Sequence, residues 1–221
     1  MPYSKTATNK TLPLVLCVHG GPYYRDYFGW SAWHQWLANR GYAALSANFR
    51  GSTGFGKTFL NASDREWGGK IQEDLLRAVD WAVDEGIADP ARVGIMGGSF
   101  GGYSALLALA RYPDRFACGV SFCGISDLAT FLENLPPYWD GSWRITLKHR
   151  LADHTTAEGR AFLRSQSPLY MADKITAPLF IAQGANDVRV TREQSDQMAA
   201  TLQQHGVPVT YLLYPDEGHG F

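Results

Sequence analysis

The ten residues "GIMGGSFGGY", Gly94 to Tyr103, set five glycines around Ser99. So few side chains mean either a flexible linker or a turn where backbones pass too close for a Cβ. The flanks select the turn. Upstream, "ARVGIM" is a short apolar run of strand character. Downstream, "YSALLALARY" repeats apolar residues at helical spacing. A strand, a glycine-walled turn and a helix with serine at the apex form the context of a nucleophile elbow. Gly97, Gly98, Ser99, Phe100 and Gly101 meet its G-x-S-x-G pattern.

The rest of the chain alternates in the same way. Strand-like runs are "LPLVLCVHGG", "YAALSANF", "RVGIMGG", "FACGVSFCG", "APLFIAQG" and "VPVTYLLYP". Between them lie the helical patterns "WSAWHQWLANRG", "IQEDLLRAVDWAVDEG", Ser99 to Arg111 and "TREQSDQMAATLQQHG". This alternation predicts a mostly parallel sheet with helices on both faces and ligands at the strand C-terminal ends. Residues 126–170 break the rhythm with an aromatic, proline-bearing stretch, "LPPYWDGSWRITLKHR", which reads as an insertion over the strand ends.

A serine hydroxyl needs a base, and the base needs an orienting acid. The chain order expected with a G-x-S-x-G elbow is Ser, acid, His. Asp187 closes "PLFIAQGAND" after a strand, whereas Asp196 lies in a helical pattern and Asp216 follows the last strand. His219 follows that last strand in "YLLYPDEGHGF", and its rival His205 ends a helix. Ser99, Asp187 and His219 are therefore the expected catalytic set. Backbone donors for an oxyanion are expected from Phe100, the residue after the serine, and from the glycines of "VHGGPYY". Tyr138, Trp139 and Trp143 of the insertion either line a substrate pocket or form cap core.

Residues Gly51 to Thr58, "GSTGFGKT", satisfy the P-loop pattern G-x-x-x-x-G-K-[ST]. A P-loop runs straight into a helix whose N-terminus faces phosphate. Here "FLNASDREWGG" follows, with no clear helical face. A structural loop near the site is the better reading.

Composition excludes other classes. The 221 residues are 45% hydrophobic, enough for one sizeable core, and the net charge of −1 offers nothing to nucleic acid or an anionic membrane. Cys17, Cys118 and Cys123 lie in apolar runs and read as buried free thiols rather than a disulfide framework. No leader and no membrane-length apolar run is visible. Cytoplasmic residence, no metal and no cofactor are the expectations; oligomeric state is not legible.

Taken together, "VHGGP", "NFRGSTGFGK", "GIMGGSFGGYSALLALARYPDRFACGV", "PLFIAQGANDVRV" and "YPDEGHGF" resemble the catalytic domain of the prolyl oligopeptidase family of serine peptidases. The likeness is nearest to its acylaminoacyl-peptidase and dipeptidyl-peptidase branch. The resemblance implies the α/β-hydrolase fold, with residues 1–221 as one catalytic domain. It implies Ser99 as nucleophile, Asp187 as acid, His219 as base, and Gly21 and Phe100 as oxyanion donors. It adds Arg189, otherwise a solvated loop charge, as a group that holds a substrate carbonyl. The implied reaction is hydrolysis of short peptides through an acyl-enzyme. A carboxylesterase acting on small esters and a non-catalytic fragment are the alternatives. The family's N-terminal β-propeller and C-terminal helix are absent from this sequence, so His219 is expected on a frayed end.

Overall fold

Strand β1 (Leu12–Val18) begins a sheet whose strand order explains where the site lies. A computed structural model describes residues 11–139 and 141–221; the first ten residues of the expected domain and Asp140 of the insertion lie outside them. After β1 come α1 (Ala32–Ala38), β2 (Ala43–Ser46), α2 (Lys57–Asn61), α3 (Lys70–Asp84), β3 (Ala88–Gly98) and α4 (Phe100–Arg111). Strand β4 (Cys118–Phe122) leads into α5 (Leu128–Glu133), α6 (Gly141–Arg150), α7 (Ala157–Ser165) and a 3₁₀ turn (Pro168–Lys174). Strand β5 (Leu179–Gly184), α8 (Arg192–Gln204) and β6 (Val209–Tyr214) follow. The sheet runs β2-β1-β3-β4-β5-β6 with every pair parallel. The chain steps outward from β1 to β2, then returns past β1 to β3, so its direction of winding reverses between β1 and β3. The crevice at the C-terminal ends of those two strands is where such sheets hold ligands.

Register assigns the faces. Leu16, Ile95, Gly119, Leu179 and Val209 stand in one cross-strand row. Leu14, Leu16 and Val18 on that face are buried beneath α3 and α4. Helix α4 is apolar almost all round, and eleven of its residues are buried, as a central helix requires. Helix α1 covers the opposite face, where Trp33 packs on Phe122 and the His34 ring bonds the Ser46 hydroxyl at 2.8 Å. Helices on both faces of a parallel sheet match the alternation in the sequence. The thiols depart from expectation: Cys123 is buried, Cys17 half-buried and Cys118 exposed. Cys118 alternates onto the sheet face opposite α4, so an apolar run did not imply two-sided cover. No helix among the described residues is long and apolar enough to cross a membrane.

The glycines of the elbow answer to space. A Cβ on Gly101 would stand 2.1 Å from the Val18 carbonyl oxygen, and one on Gly97 2.5 Å from the Gly101 carbonyl carbon. On Gly102 it would meet Gly124 Cα at 2.8 Å, whereas on Gly98 its nearest neighbour is at an ordinary 3.8 Å. Gly101→Ala is therefore expected to lower the unfolding free energy in urea by at least about 1–3 kcal/mol through overpacking. Gly98→Ala is expected to be neutral or to stabilise by up to about 1 kcal/mol through the unfolded chain. Equal losses in the two variants would refute the steric account.

Candidate active site

Ser99 is the joint between β3 and α4. Its backbone holds φ 58°, ψ −118°, a conformation costly for a residue with a Cβ. Its N–H donates to the Phe122 carbonyl at 2.8 Å, and its carbonyl accepts from Tyr103 N–H at 3.0 Å. Phe100 and Tyr103, both wholly buried, anchor the first turn of α4. The Phe100 N–H, first in the helix, has no hydrogen-bond partner among the described residues.

The loop after β1 presses against this elbow. A Cβ on Gly20 would lie 3.2 Å from the Gly98 carbonyl oxygen and 3.5 Å from Ser99 Cβ. Gly21 takes φ 116°, where any Cβ would strike Tyr23 N at 2.7 Å. His19 fixes the loop's start. Its ring stacks on Phe49 at 4.3 Å, Nδ1 donates to the Gly20 carbonyl at 2.7 Å, and Nε2 accepts from the Ser52 hydroxyl at 3.0 Å. Burial pushes the His19 pKa down against the raising effects of the Gly20 carbonyl and Asp26, which favours the neutral ring that this pattern needs.

Ser52 belongs to the P-loop-like segment. That segment also donates Thr53 N–H to the Tyr24 carbonyl at 2.9 Å and stacks Phe55 on the Arg25 guanidinium. A helix does follow it, contrary to the sequence reading, but α2 is five residues long, and Lys57 and Thr58 at its start are exposed. The glycine loop is thus a prop for the segment after β1.

Asp187 and His219 meet from two adjacent strand ends. The turn after β5 buries Asp187, and His219 Nδ1 donates to its Oδ2 at 2.7 Å. Oδ1 accepts from the N–H groups of Arg189 at 2.9 Å and Val190 at 3.0 Å, and Gln183 Nε2 lies 3.3 Å from Oδ2. Burial alone raises the Asp187 pKa, but the bond from His219 and the two backbone N–H groups outweigh it and hold the carboxyl below its ordinary value. The His219 loop is not frayed. Asn186 N–H donates to the Glu217 carbonyl at 2.9 Å, Gly218 bridges Gly220, and Phe221 packs on Tyr214 at 4.6 Å.

Ser99 and His219 line two cavities that meet at the serine. The first, of about 510 Å³, is walled by Tyr23, Tyr24, Trp67, Phe131, Trp139 and Trp143, with Gly21 and Arg189 on its border. Tyr138 does not join them. It is 59% exposed and lies outside the cavity, because the turn that points Trp139 inward turns its neighbour out. The second cavity, of about 350 Å³, includes His19, Trp33, His34, Cys123 and Phe221. Sequence reasoning missed Trp67 and Phe131, which carry no local signal, and passed over Tyr23 and Tyr24 although they directly follow "GGP". The insertion that brings Phe131 and the two tryptophans here is tied down at both ends. Gln194 of α8 accepts the N–H groups of Ser126 and Asp127, and Asp127 accepts the Tyr170 hydroxyl at 2.8 Å.

Known proteins resemble the chain along most of its length. The chain matches the profile of the prolyl oligopeptidase family over residues 28–221. It is 54% identical over 210 residues to dipeptidyl aminopeptidase BIII of Pseudoxanthomonas mexicana, covering 95% of this chain and 30% of that protein. It is 50% identical over 221 residues to dipeptidyl peptidase family member 6 of Caenorhabditis elegans, covering 99% and 30%. The chain thus spans about 30% of the length of these relatives. Among solved structures, an acylaminoacyl peptidase in complex with Z-Gly-Gly-Phe-chloromethyl ketone is 29% identical, with a TM-score of 0.87 over 99% of this chain and 34% of its own. A puromycin-hydrolysing peptidase of Mycobacterium tuberculosis is 34% identical, with a TM-score of 0.89 over 100% of this chain and 32% of its own. These likenesses show the α/β-hydrolase fold.

The lowered Asp187 pKa has a thermodynamic signature. Its stabilising contribution is present above the ordinary carboxylate value of 3.8 and is lost as pH falls through the lower folded value. The unfolding free-energy difference between wild type and Asp187→Asn, measured in urea, is therefore expected to shrink on acidification through that window. A difference independent of pH would contradict the assignment of the charge to Asp187.

Proposed function

The chain belongs to the prolyl oligopeptidase family, and from that premise we propose that it carries the catalytic apparatus of a serine peptidase that cleaves short peptides. The observation that carries the reading is the 2.7 Å bond from His219 Nδ1 to Asp187 Oδ2 on the rim of the cavity that holds the strained Ser99. With Nδ1 donating to Asp187, neutral His219 keeps the Nε2 lone pair for the Ser99 proton. Ser99 attacks the substrate carbonyl, and the N–H groups of Phe100 and Gly21 receive the oxyanion. His219 then protonates the leaving amine, and water releases the acyl group. Loss of one such donor costs about 2.7–4 kcal/mol of transition-state stabilisation.

The first cavity takes the acyl side of the substrate, with Trp139 and Trp143 against its side chains and Arg189 holding a carbonyl. The two relatives at 54% and 50% identity are a dipeptidyl aminopeptidase and a dipeptidyl peptidase family member, so release of dipeptides is the first substrate class to test. A carboxylesterase would use the same triad, but a guanidinium lining the same cavity as Ser99 favours the extra carbonyls of a peptide. We read residues 1–221 as one catalytic domain with its insertion at 126–170. The compartment proposed is the cytoplasm, where the free thiols stay reduced.

Intact-mass analysis after treatment with a fluorophosphonate is expected to show a single covalent adduct that Ser99→Ala abolishes. A folded wild-type chain that takes up no adduct would refute the triad reading. Arg189→Ala is expected to lower kcat/KM on dipeptidyl amides by a factor of about ten to a hundred, corresponding to about 1.5–3 kcal/mol for a charge-assisted hydrogen bond. A small activated ester is expected to lose far less. Equal losses on both substrates would place Arg189 outside substrate recognition.

A further inference from the structure

The mechanism above leaves one polar group beside the Asp187–His219 pair unused. Cys123 follows β4 at φ 46°, with its N–H donating to the Ala182 carbonyl at 2.8 Å and its residue surface 4% exposed. Its thiol sits against the Asp187 carboxylate and the Gly184 N–H. One ligand-type atom from each of Cys123, Asp187 and His219 lies within 4.8 Å of the other two. The second cavity reaches this cluster, since Cys123 and His219 both line it. A sulfur, an imidazole nitrogen and a carboxylate oxygen are a donor set suited to Zn²⁺ or Cd²⁺. Zinc bonds of about 2.0–2.3 Å put tetrahedral ligands about 3.3–3.8 Å apart, so closing the site needs movements of only about 1 Å.

We propose that Cys123, Asp187 and His219 form a latent site for a soft divalent cation such as Zn²⁺, and that filling it switches the triad off. The inhibitory consequence rests on the reading of His219 as base; the binding site itself does not. The cation bonds Cys123 Sγ, Asp187 Oδ2 and His219 Nδ1, and water completes the tetrahedron. The thiol proton leaves to solvent, and the imidazole proton moves from Nδ1 to Nε2. Protonated at Nε2, the ring has no lone pair for the Ser99 hydroxyl, although nothing blocks the cavity and Ser99 has not moved. Cys17 lines the same cavity but lies outside the cluster, its thiol directed at the Val15 carbonyl.

The test uses chelator-treated protein and Zn²⁺ alone as the probe. Equilibrium dialysis is expected to give one tightly held zinc per chain in wild type, in Ser99→Ala and in Cys17→Ala. Cys123→Ala and Cys123→Ser, checked for folding by circular dichroism, are expected to weaken binding by more than the about 10–100-fold that loss of an outer-shell partner costs. Cobalt substitution is expected to give a thiolate charge-transfer band in wild type that Cys123→Ser lacks. In parallel, the fluorophosphonate labelling rate is expected to fall as zinc fills the site and to return with EDTA. Wild type that resists labelling even without metal would sink the peptidase reading and leave the site to be judged by dialysis and cobalt spectra. Zinc binding that is absent, or indifferent to Cys123, would overturn the site. Zinc bound through Cys123 with labelling unchanged would overturn the switch.

Discussion

The backbone contact between β1 and α4 sets the geometry of everything at the strand ends. The space between Gly101 and the Val18 carbonyl is too small for any side chain, so α4 begins where the sheet ends and not a turn later. Ser99 must then reverse the chain in a single residue, at φ 58°. Strain of this kind costs about 1–3 kcal/mol and persists only where its surroundings over-determine it. Phe100 and Tyr103, packed with Trp67 and Phe49 below the turn, supply that over-determination. Val18 is also the last residue before His19 and the glycine loop. One close contact therefore fixes Ser99, the Phe100 N–H and the loop carrying Gly21 relative to one another.

The second requirement is a carboxylate kept charged where water does not reach. The Asp187 side chain is fully enclosed, and an enclosed charge without partners is strongly unfavourable. Two backbone N–H groups, the Gln183 amide and the His219 ring meet its two oxygens. Gln183 is itself held by the Ser195 hydroxyl of α8 at 2.8 Å and bonds the Val190 carbonyl at 3.1 Å. The network thus runs from β5 through the turn into α8, the same helix whose Gln194 pins the insertion. The orientation of His219 and the cavity wall share one support.

How much of this a sequence can disclose depends on the range of the interaction. The elbow was legible because its glycines answer to neighbours one turn or one strand away. Asp187 and His219 were legible because each closes a strand, and in a parallel sheet strand ends converge. Trp67 was not, since it reaches the cavity only through the packing of a long loop on Phe100 and Tyr103. Tyr138 and Trp139 are adjacent and similar in chemistry, and only the turn between α5 and α6 decides which faces in. Cys118 and Cys123 sit in one apolar run, yet one ends exposed and the other beside Asp187, because the strand closes after Phe122 and Cys123 leaves its alternation. The P-loop pattern shows the reverse error. The motif is present, and its glycines instead let the backbone fold under His19, where Gly51 at φ 96° leaves no room between itself and Ser63.

Cys123 follows from the same logic. A histidine that serves as base must keep Nε2 free, and the surest way to do so is to tie Nδ1 to a buried carboxylate. That bond also brings a nitrogen and an oxygen donor within 2.7 Å of each other. A pair of this kind is two-thirds of a tetrahedral metal site, held back only by the proton between them. Whether it becomes one depends on what the next strand end presents. Here the end of β4 presents a sulfur, and in the proposed switch the Nδ1 proton of His219 is the one that a soft cation displaces to Nε2. Under the proposed switch, susceptibility to the metal and competence of His219 as base arise from a single hydrogen bond, and a substitution at position 123 is the change that separates them.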